Sequence, residues 1–555
     1  MDRHSRVLHH PLRETIMRSK TSRPMHSALA IAALGLSSSL SAAPAPASSG
    51  LQPLIVAYKA GKAAAVRAEV ESAGGSVVRD LRRASAFAVR MPSSGAAGLK
   101  TSVNVDFVEA DVQRRLLGVP TRSMEDAALP MAAIADVPTS GTEIRPYGIT
   151  MSQANLVHDA LTGNRKLCIV DSGYDRTHED LAQNVLNGNV TGANFTGSGT
   201  WDSDENAHGT HVAGTVAALG GNGVGVVGVN PGGHLKLHIA KVFDASGSAS
   251  SSQVMDAVSS CADAGAHIIS MSLGGGDPSQ AERRVFRSLL NEGILTIAAA
   301  GNAGDTSTSF PAGYEEVMSV GALDANAVRG GFSQVNNDVE IAAPGVAVLS
   351  TIPPNIESLG QLTVSGLPYA AAAMTGSPRL SRTAPLYNFG LGTATDAGAA
   401  GKVCLIQRGA ISFAEKVLNC QASGGVAAVV YNNLGRGMLF GTLGDAPTSI
   451  PSIGTSNAIG DVLVTQIGQA ATVSVVPDPA LYAYFNGTSM ATPHVSGVAA
   501  LVWSHFPACS AKQMRQVLNA SALEIGRPGK DPEFGFGLLL AKSAYNRIAA
   551  TGCGN

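Results

Sequence analysis

At 555 residues the chain exceeds what one hydrophobic core holds, and roughly three or four folded units are expected. Hydrophobic residues at 45% against 14% charged ones exclude a disordered or coiled-coil chain. A net charge of −2, from 39 basic and 41 acidic residues, gives no pull toward nucleic acid or anionic lipid.

The N-terminal region has the pattern of an export signal. Met17-Arg-Ser-Lys-Thr-Ser-Arg23 is basic, Ala28–Leu36 is apolar, and the small residues of Ser41–Ala47 offer a cleavage site. The apolar run is too short to span a bilayer. The polar residues before Met17 fit no part of such a signal, so translation is expected to start at Met17. The mature protein is therefore read as secreted: extracellular, or periplasmic where a second membrane retains it. Export also favours disulfides for the six cysteines over metal or redox thiols.

Residues 48–117 read as a small domain. Leu54–Lys59 is a strand, Ala63–Ala73 an amphipathic helix, and Val77–Leu81 with Ala86–Met91 a strand pair. A helical turn near Ala96 and a strand at Val105–Ala110 complete a β-α-β-β-α-β order, the ferredoxin-like plan. The stretch 118–142, rich in Pro, Ala, Ser and Thr, reads as an exposed, cleavable linker.

Beyond it, apolar strands alternate with helices: Lys166–Val170, Leu235–Val242, His267–Met271, Ile294–Ala298, Val317–Val320 and Val339–Ala342. Strands apolar on both faces indicate a parallel sheet covered by helices. The pattern breaks near Ile352 and resumes near Tyr484. The intervening 363–476 has strands of its own, at Val403–Gln407, Ala427–Tyr431 and Val473–Val476, and a helix at Phe413–Ala422. An insertion of that length with its own elements is a domain. The flanking segments 143–362 and 477–555 then form one domain.

Three motifs carry chemistry. Cys168-Ile-Val-Asp171-Ser-Gly ends an apolar strand in an acid at a glycine turn. Ala207-His208-Gly-Thr-His-Val-Ala-Gly214 starts a small-residue helix with a histidine. Asn486-Gly-Thr-Ser489-Met-Ala-Thr-Pro-His494 places a serine at a helix entrance. Acyl transfer from serine needs these three groups: an attacking Oγ, a neutral imidazole to take its proton, and a carboxylate to fix the tautomer. The order Asp, His, Ser differs from that of an α/β-hydrolase esterase, in which Ser precedes Asp and His. A catalytically silent binding or adhesion protein that keeps the fold is the other rival, and the intact Asp171, His208 and Ser489 argue against it. His211 and His494 are read as buried structural residues.

In these motifs the chain resembles the subtilisin-like serine peptidases. The resemblance implies a three-layer α/β/α fold with a mainly parallel seven-stranded sheet. It also implies a secreted endopeptidase that cuts peptide bonds without a cofactor for the chemistry, working as a monomer on protein and peptide substrates. Residues 48–117 resemble the family's inhibitory propeptide, which implies an autoprocessed preproenzyme cut between Leu117 and Glu143. Ala298-Ala-Ala-Gly301-Asn302 matches the family block whose Asn donates to the oxyanion, and the Ser489 N–H would be the second donor. Losing such a donor from a subtilisin costs about 10²–10³ in kcat.

Ser272, Leu273 and Gly274 resemble the segment that pairs with an extended substrate, while Ala299, Gly301 and Ser309 would line the pocket for the residue before the cut bond. Small uncharged residues there imply a wide pocket for apolar side chains, with no acidic lining. Glu143, Asp180, Gly220, Asn222, Val224 and Val226 match the family's oxygen-rich calcium loop, which implies a structural Ca²⁺. Residues 403–433 resemble a protease-associated (PA) domain, giving an inserted β-rich unit. Cys404–Cys420 would staple that unit, and Cys509–Cys553 would tie the C-terminal tail. In the family's topology the helix carrying Cys261 crosses the strand carrying Cys168, which implies a bridge. Two buried free thiols are the other reading of that pair.

Overall fold

The computed structural model describes residues 50–117, 119–120, 142–356, 358–433, 437–444 and 446–554. The export signal, the start at Met17 and most of the linker lie outside the described residues.

The N-terminal domain is a four-stranded antiparallel sheet in the order Ser76–Leu81, Ala86–Met91, Gln52–Tyr58, Val105–Ala110. The helices Ala63–Ser72 and Ser93–Leu99 connect its strands. Period-two alternation gives the sheet two apolar faces with different partners. Val56, Phe87 and Val89 pack on Val66, Val70 and Leu99 of the domain's own helices. Ile55, Ala57, Ala86 and Ala88 instead join the core around the helices Ser251–Asp263 and Gln280–Asn291.

That second core belongs to the central domain, a seven-stranded parallel sheet. Its order is Ile341–Pro344, Met318–Leu323, Leu295–Ala299, Ile268–Met271, Lys166–Asp171, Lys236–Lys241, Val190–Asn194. Every residue of the strands Ile268–Met271 and Leu295–Ala299 is buried, as two-sided coverage requires. On the opposite face lie the helices His208–Ala217 and Thr488–His505, inside a core that includes Val212, Val216, Met490, Val495, Val498 and Leu501. Residues 488–504 are buried on all sides, so this helix shows no polar stripe. The edge strand Val190–Asn194 had no apolar run to announce it; its residues are mostly half-buried.

The insertion forms an eight-stranded mixed sheet whose strands run from Ser358 to Pro477, starting ahead of the boundary read at Thr363. Its ends, Ser358–Val364 and Ala470–Pro477, pair along their whole length, which closes the module on itself. The helix Phe413–Ala422 begins at a capping box formed by Ser412 and Glu415.

All six cysteines are paired, as Cys168–Cys261, Cys404–Cys420 and Cys509–Cys553. Cys168 and Cys261 have Cα atoms 5.7 Å apart, where the helix Ser251–Asp263 crosses the Asp171 strand. This bridge closes a separation of 93 residues. Replacing Cys168 and Cys261 together by Ala is expected to cost about 2–5 kcal/mol. Scanning calorimetry would show it as a lower unfolding midpoint, and an unchanged midpoint would assign the bridge no stabilising role.

Candidate active site

Asp171 is the last residue of its strand, and the strand order reverses beside it, where α/β sheets open a crevice at their carboxyl ends. Its Oδ1 accepts from Ser172 N at 2.8 Å and lies 2.7 Å from His208 Nδ1. Both side chains are buried. His208 is the first residue of its helix, and Ala207 before it has a left-handed φ of 76°. Asp204 holds this turn together. Its Oδ1 accepts from Ala207 N, Asn206 N and Ser172 Oγ, and its Oδ2 from Thr210 N and Thr210 Oγ1. An acid four residues ahead of His208 is the sequence signal for such a cap, and sequence reading passed over it.

Ser489 follows Gly487, whose φ of 153° favours glycine, and sits in the first turn of the buried helix. Its Oγ donates to Ser272 O at 2.9 Å. His208 Nε2 is buried with no hydrogen-bond partner among the described residues. Asn302 Oδ1 accepts from Thr488 N at 2.9 Å and Thr488 Oγ1 at 2.8 Å. Those two bonds turn the Asn302 Nδ2 outward, where it donates to the carbonyl of Leu117.

That last contact belongs to a strand that sequence reading missed. Gln113–Leu116 pairs antiparallel with Ser248–Ser250 on one side and Leu273–Gly274 on the other. Leu117 N continues the ladder to Ser272 O at 3.3 Å. Past Gly118, Val119–Pro120 pairs antiparallel with Phe485–Asn486. The residues on either side of Gly118 thus pair with strands that flank Ser489, Leu273–Gly274 in space and Phe485–Asn486 in sequence. A Cβ on Gly274 would collide with Leu117 Cδ1 and Ser309 Oγ, and one on Gly301 would meet Ser309 Cβ at 3.2 Å. Ser272 bonds to Leu117 and Gly274 stands against it, Leu273 pairs with Leu116, Ser309 lies beside Gly274 and Gly301, and Ala299 is the buried end of its strand.

An acid lies further along the cleft, away from the small uncharged residues beside Leu117. Arg114 and Glu282 are fully buried and form a two-pronged ion pair, Nε to Oε1 at 3.0 Å and Nη2 to Oε2 at 2.6 Å. Burial disfavours the guanidinium charge, but Glu282 more than offsets this and keeps the Arg114 pKa above its ordinary value.

The residues matched to a calcium loop also converge. Asp180 accepts from Asn222 Nδ2 at 2.7 Å, Val226 N at 2.8 Å and Tyr482 OH at 3.0 Å, and Glu143 accepts from Gly221 N at 2.6 Å. Gly220 and Val224 lie in the same loop. The donors on offer are carboxylate, carboxamide and backbone oxygens, a set that fits calcium, although three hydrogen-bond donors close Asp180 here. No group of three or more His, Cys, Asp or Glu able to hold a metal occurs among the described residues.

The subtilase family profile matches residues 163–377 and 454–537, and a PA domain profile matches 382–463. The chain belongs to the subtilase family. It is 38% identical over 234 residues to subtilisin DY of Bacillus licheniformis, covering 41% of this chain and 82% of the relative. Identity to subtilisin amylosacchariticus of Bacillus subtilis subsp. amylosacchariticus is 31% over 347 residues, 60% of this chain and 82% of the relative. The psychrophilic subtilisin-like protease Apa1 from Pseudoalteromonas sp. AS-11 aligns over 75% of this chain and all of its own, at 40% identity and a TM-score of 0.52. This subtilase is a serine endopeptidase with an inserted PA domain.

His211 and His494 lie beside the site without entering it. His211 Nε2 lies 3.0 Å from Val348 O and 3.1 Å from Ala483 O, and its ring stacks on Phe485. Burial, with a further contribution from His208, lowers its pKa to about 3. His494 donates to Met490 O at 2.8 Å, and burial lowers its pKa to about 4. Both folded values fall below the unfolded value near ~6.5. Between these values the unfolded chain binds protons that the folded subtilase refuses. Stability is complete above about 6.5 and falls as pH drops toward 4 and 3. His494→Asn keeps a donor for Met490 O and removes one titration. The midpoint of thermal unfolding between pH 6.5 and 4 should then fall less steeply than in the wild type; equal slopes would show that His494 does not titrate in this way.

Proposed function

We propose that Asp171, His208 and Ser489 are the catalytic triad of a secreted endopeptidase made as an autoprocessed preproenzyme, cut first between Leu117 and Gly118. The observation that carries this reading is the pairing of 113–117 and of 119–120 with the edges of the cleft, with the Leu117 carbonyl on Asn302 Nδ2. In this reading residues 1–47 are the export signal, 48–117 the inhibitory propeptide and 118–142 a linker. The peptidase domain is 143–362 with 477–555, and 363–476 is the PA insertion.

The reaction follows from the groups in place. Ser489 Oγ turns from Ser272 O toward the unpartnered His208 Nε2, which takes its proton as Oγ attacks the Leu117 carbonyl carbon. Asp171 holds Nδ1–H, so that Nε2 is the basic nitrogen, and offsets the imidazolium charge. The oxyanion is met by Asn302 Nδ2 and the Ser489 N–H. His208 returns the proton to the Gly118 nitrogen as the C–N bond breaks, and water then releases the acyl group by the same relay. Six cysteines paired as three disulfides support an oxidising, extracytoplasmic site of action.

Fluorophosphonate labelling with N-terminal sequencing tests the nucleophile and the cut together. Wild type should label and begin at Gly118 or at a later trimmed residue, while Ser489→Ala should stay unlabelled and uncut. Processed wild type that takes up no probe would overturn the peptidase reading in favour of a silent binding protein, and labelling of Ser489→Ala would remove Ser489 as the nucleophile.

A structural calcium held by Asp180, Asn222, Glu143 and the carbonyls of Gly220, Val224 and Val226 is part of the proposal, with no step of the reaction routed through it. Binding to the folded state alone raises stability by RT ln(1 + [L]/Kd). The unfolding midpoint should rise with added Ca²⁺ in wild type and stay flat in Asp180→Ala; a wild-type midpoint indifferent to both Ca²⁺ and chelator would remove calcium from the picture.

A further inference from the structure

We propose that the cleft contains an arginine-selective subsite for the fourth residue before the cut bond, with Glu282 as its specificity-determining residue. This rests on the reading that Leu117–Gly118 is the bond presented to Ser489. Counting back from Leu117 along the paired strand passes Leu116 and Arg115 and reaches Arg114. Arg114 is completely buried, whereas Arg115 next to it is exposed. A buried arginine needs a built site, because its charge must be matched where water is absent.

The site is built on both sides of the guanidinium. Nε and Nη2 meet the two oxygens of Glu282, and Nη2 also donates to Asp277 O at 2.9 Å. Gly275 leaves the room, since a Cβ there would stand 3.1 Å from Arg114 Nη1 and 2.6 Å from Gln113 O. Tyr314 OH lies 2.9 Å from Glu282 Oε2 and supports the carboxylate from behind.

The position of Glu282 in its helix argues against a capping role. It is the third residue of Gln280–Asn291, after the cap Ser279, where an acid would ordinarily fold back onto the cap N–H. Here Ser279 N–H donates to Tyr314 OH instead, and Glu109 of the N-terminal domain accepts from Ser279 Oγ, Gln280 N and Ala281 N. The Glu282 carboxylate is thereby left to face the cleft. Removal of the N-terminal strand would leave a recessed carboxylate with its planar partner gone, and a substrate arginine in the same register would replace it. Lysine could supply the charge but not the fork, and an apolar side chain would strand the carboxylate.

The test uses the processed enzyme and four peptides, acetyl-Xaa-Arg-Leu-Leu-p-nitroanilide, with Xaa as Arg, Lys, Leu or Glu. A charge-assisted pair predicts kcat/KM about 10- to 100-fold higher for Arg than for Leu, with Lys between and Glu lowest. Glu282→Leu, made with Arg114→Leu so that the precursor keeps no unmatched guanidinium, should reverse the Arg-to-Leu ratio. Wild-type rates within about twofold across the four peptides would overturn the subsite while leaving the peptidase intact. So would an Arg preference that survives in Glu282→Leu. If the variant does not fold, the wild-type series decides alone. Failure of the wild type to cut any of the four would instead bring down the reading of the cut bond on which the register depends.

Discussion

The antiparallel pairing of Gln113–Leu116 between Ser248–Ser250 and Leu273–Gly274 fixes where every other group near Ser489 must act. An extended chain held on both edges has its carbonyls and side chains at set intervals, so one register decides the whole cleft. Leu117 falls against Gly274 and Ser309, its carbonyl on Asn302, and Arg114 on Glu282. A shift by one residue would turn a buried arginine to the solvent and a solvated one into the core. The buried ion pair therefore locks the register as much as the hydrogen bonds do.

The N-terminal domain reaches the cleft through two helix ends. Asp111 accepts from Ser251 Oγ, Ser252 N and Ser252 Oγ at the start of Ser251–Asp263. Glu109 does the same for Gln280–Asn291. Both acids sit where unsatisfied N–H groups and the helix dipole favour negative charge. Behind them Ile55, Ala57, Ala86 and Ala88 share one apolar core with those helices, and Arg83 reaches Glu292 and Asp263. The exposed rim pairs contribute little on their own; the apolar face and the capped helix ends set the orientation.

The geometry of the proposed triad rests on backbone devices around it. Asp204 and Ser172 tie the His208 turn to the end of the Asp171 strand, and Asn302 is oriented by Thr488 beside Ser489. Each group of the proposed site is thus held by a neighbour of another, which fixes the constellation before substrate enters. The PA insertion closes on itself through its first and last strands and carries its own disulfide, so it adds a domain without interrupting the parallel sheet.

Local sequence determined the parts whose signal is local. The ferredoxin-like order, the covered parallel strands, the helix at Phe413–Ala422 and the three motifs were legible because period, glycine turns and apolar runs are set by neighbouring residues. Tertiary structure alone decided what depends on distant partners. Gln113–Leu116 reads as an unremarkable polar stretch, and it is a strand only because two cleft edges supply its hydrogen bonds. Val190–Asn194 is an edge strand with no apolar run, visible only once Lys236–Lys241 lies beside it. Glu282 has the look of a first-turn helix acid. Its facing of Arg114 follows from a contact 168 residues apart in sequence, which no local pattern encodes.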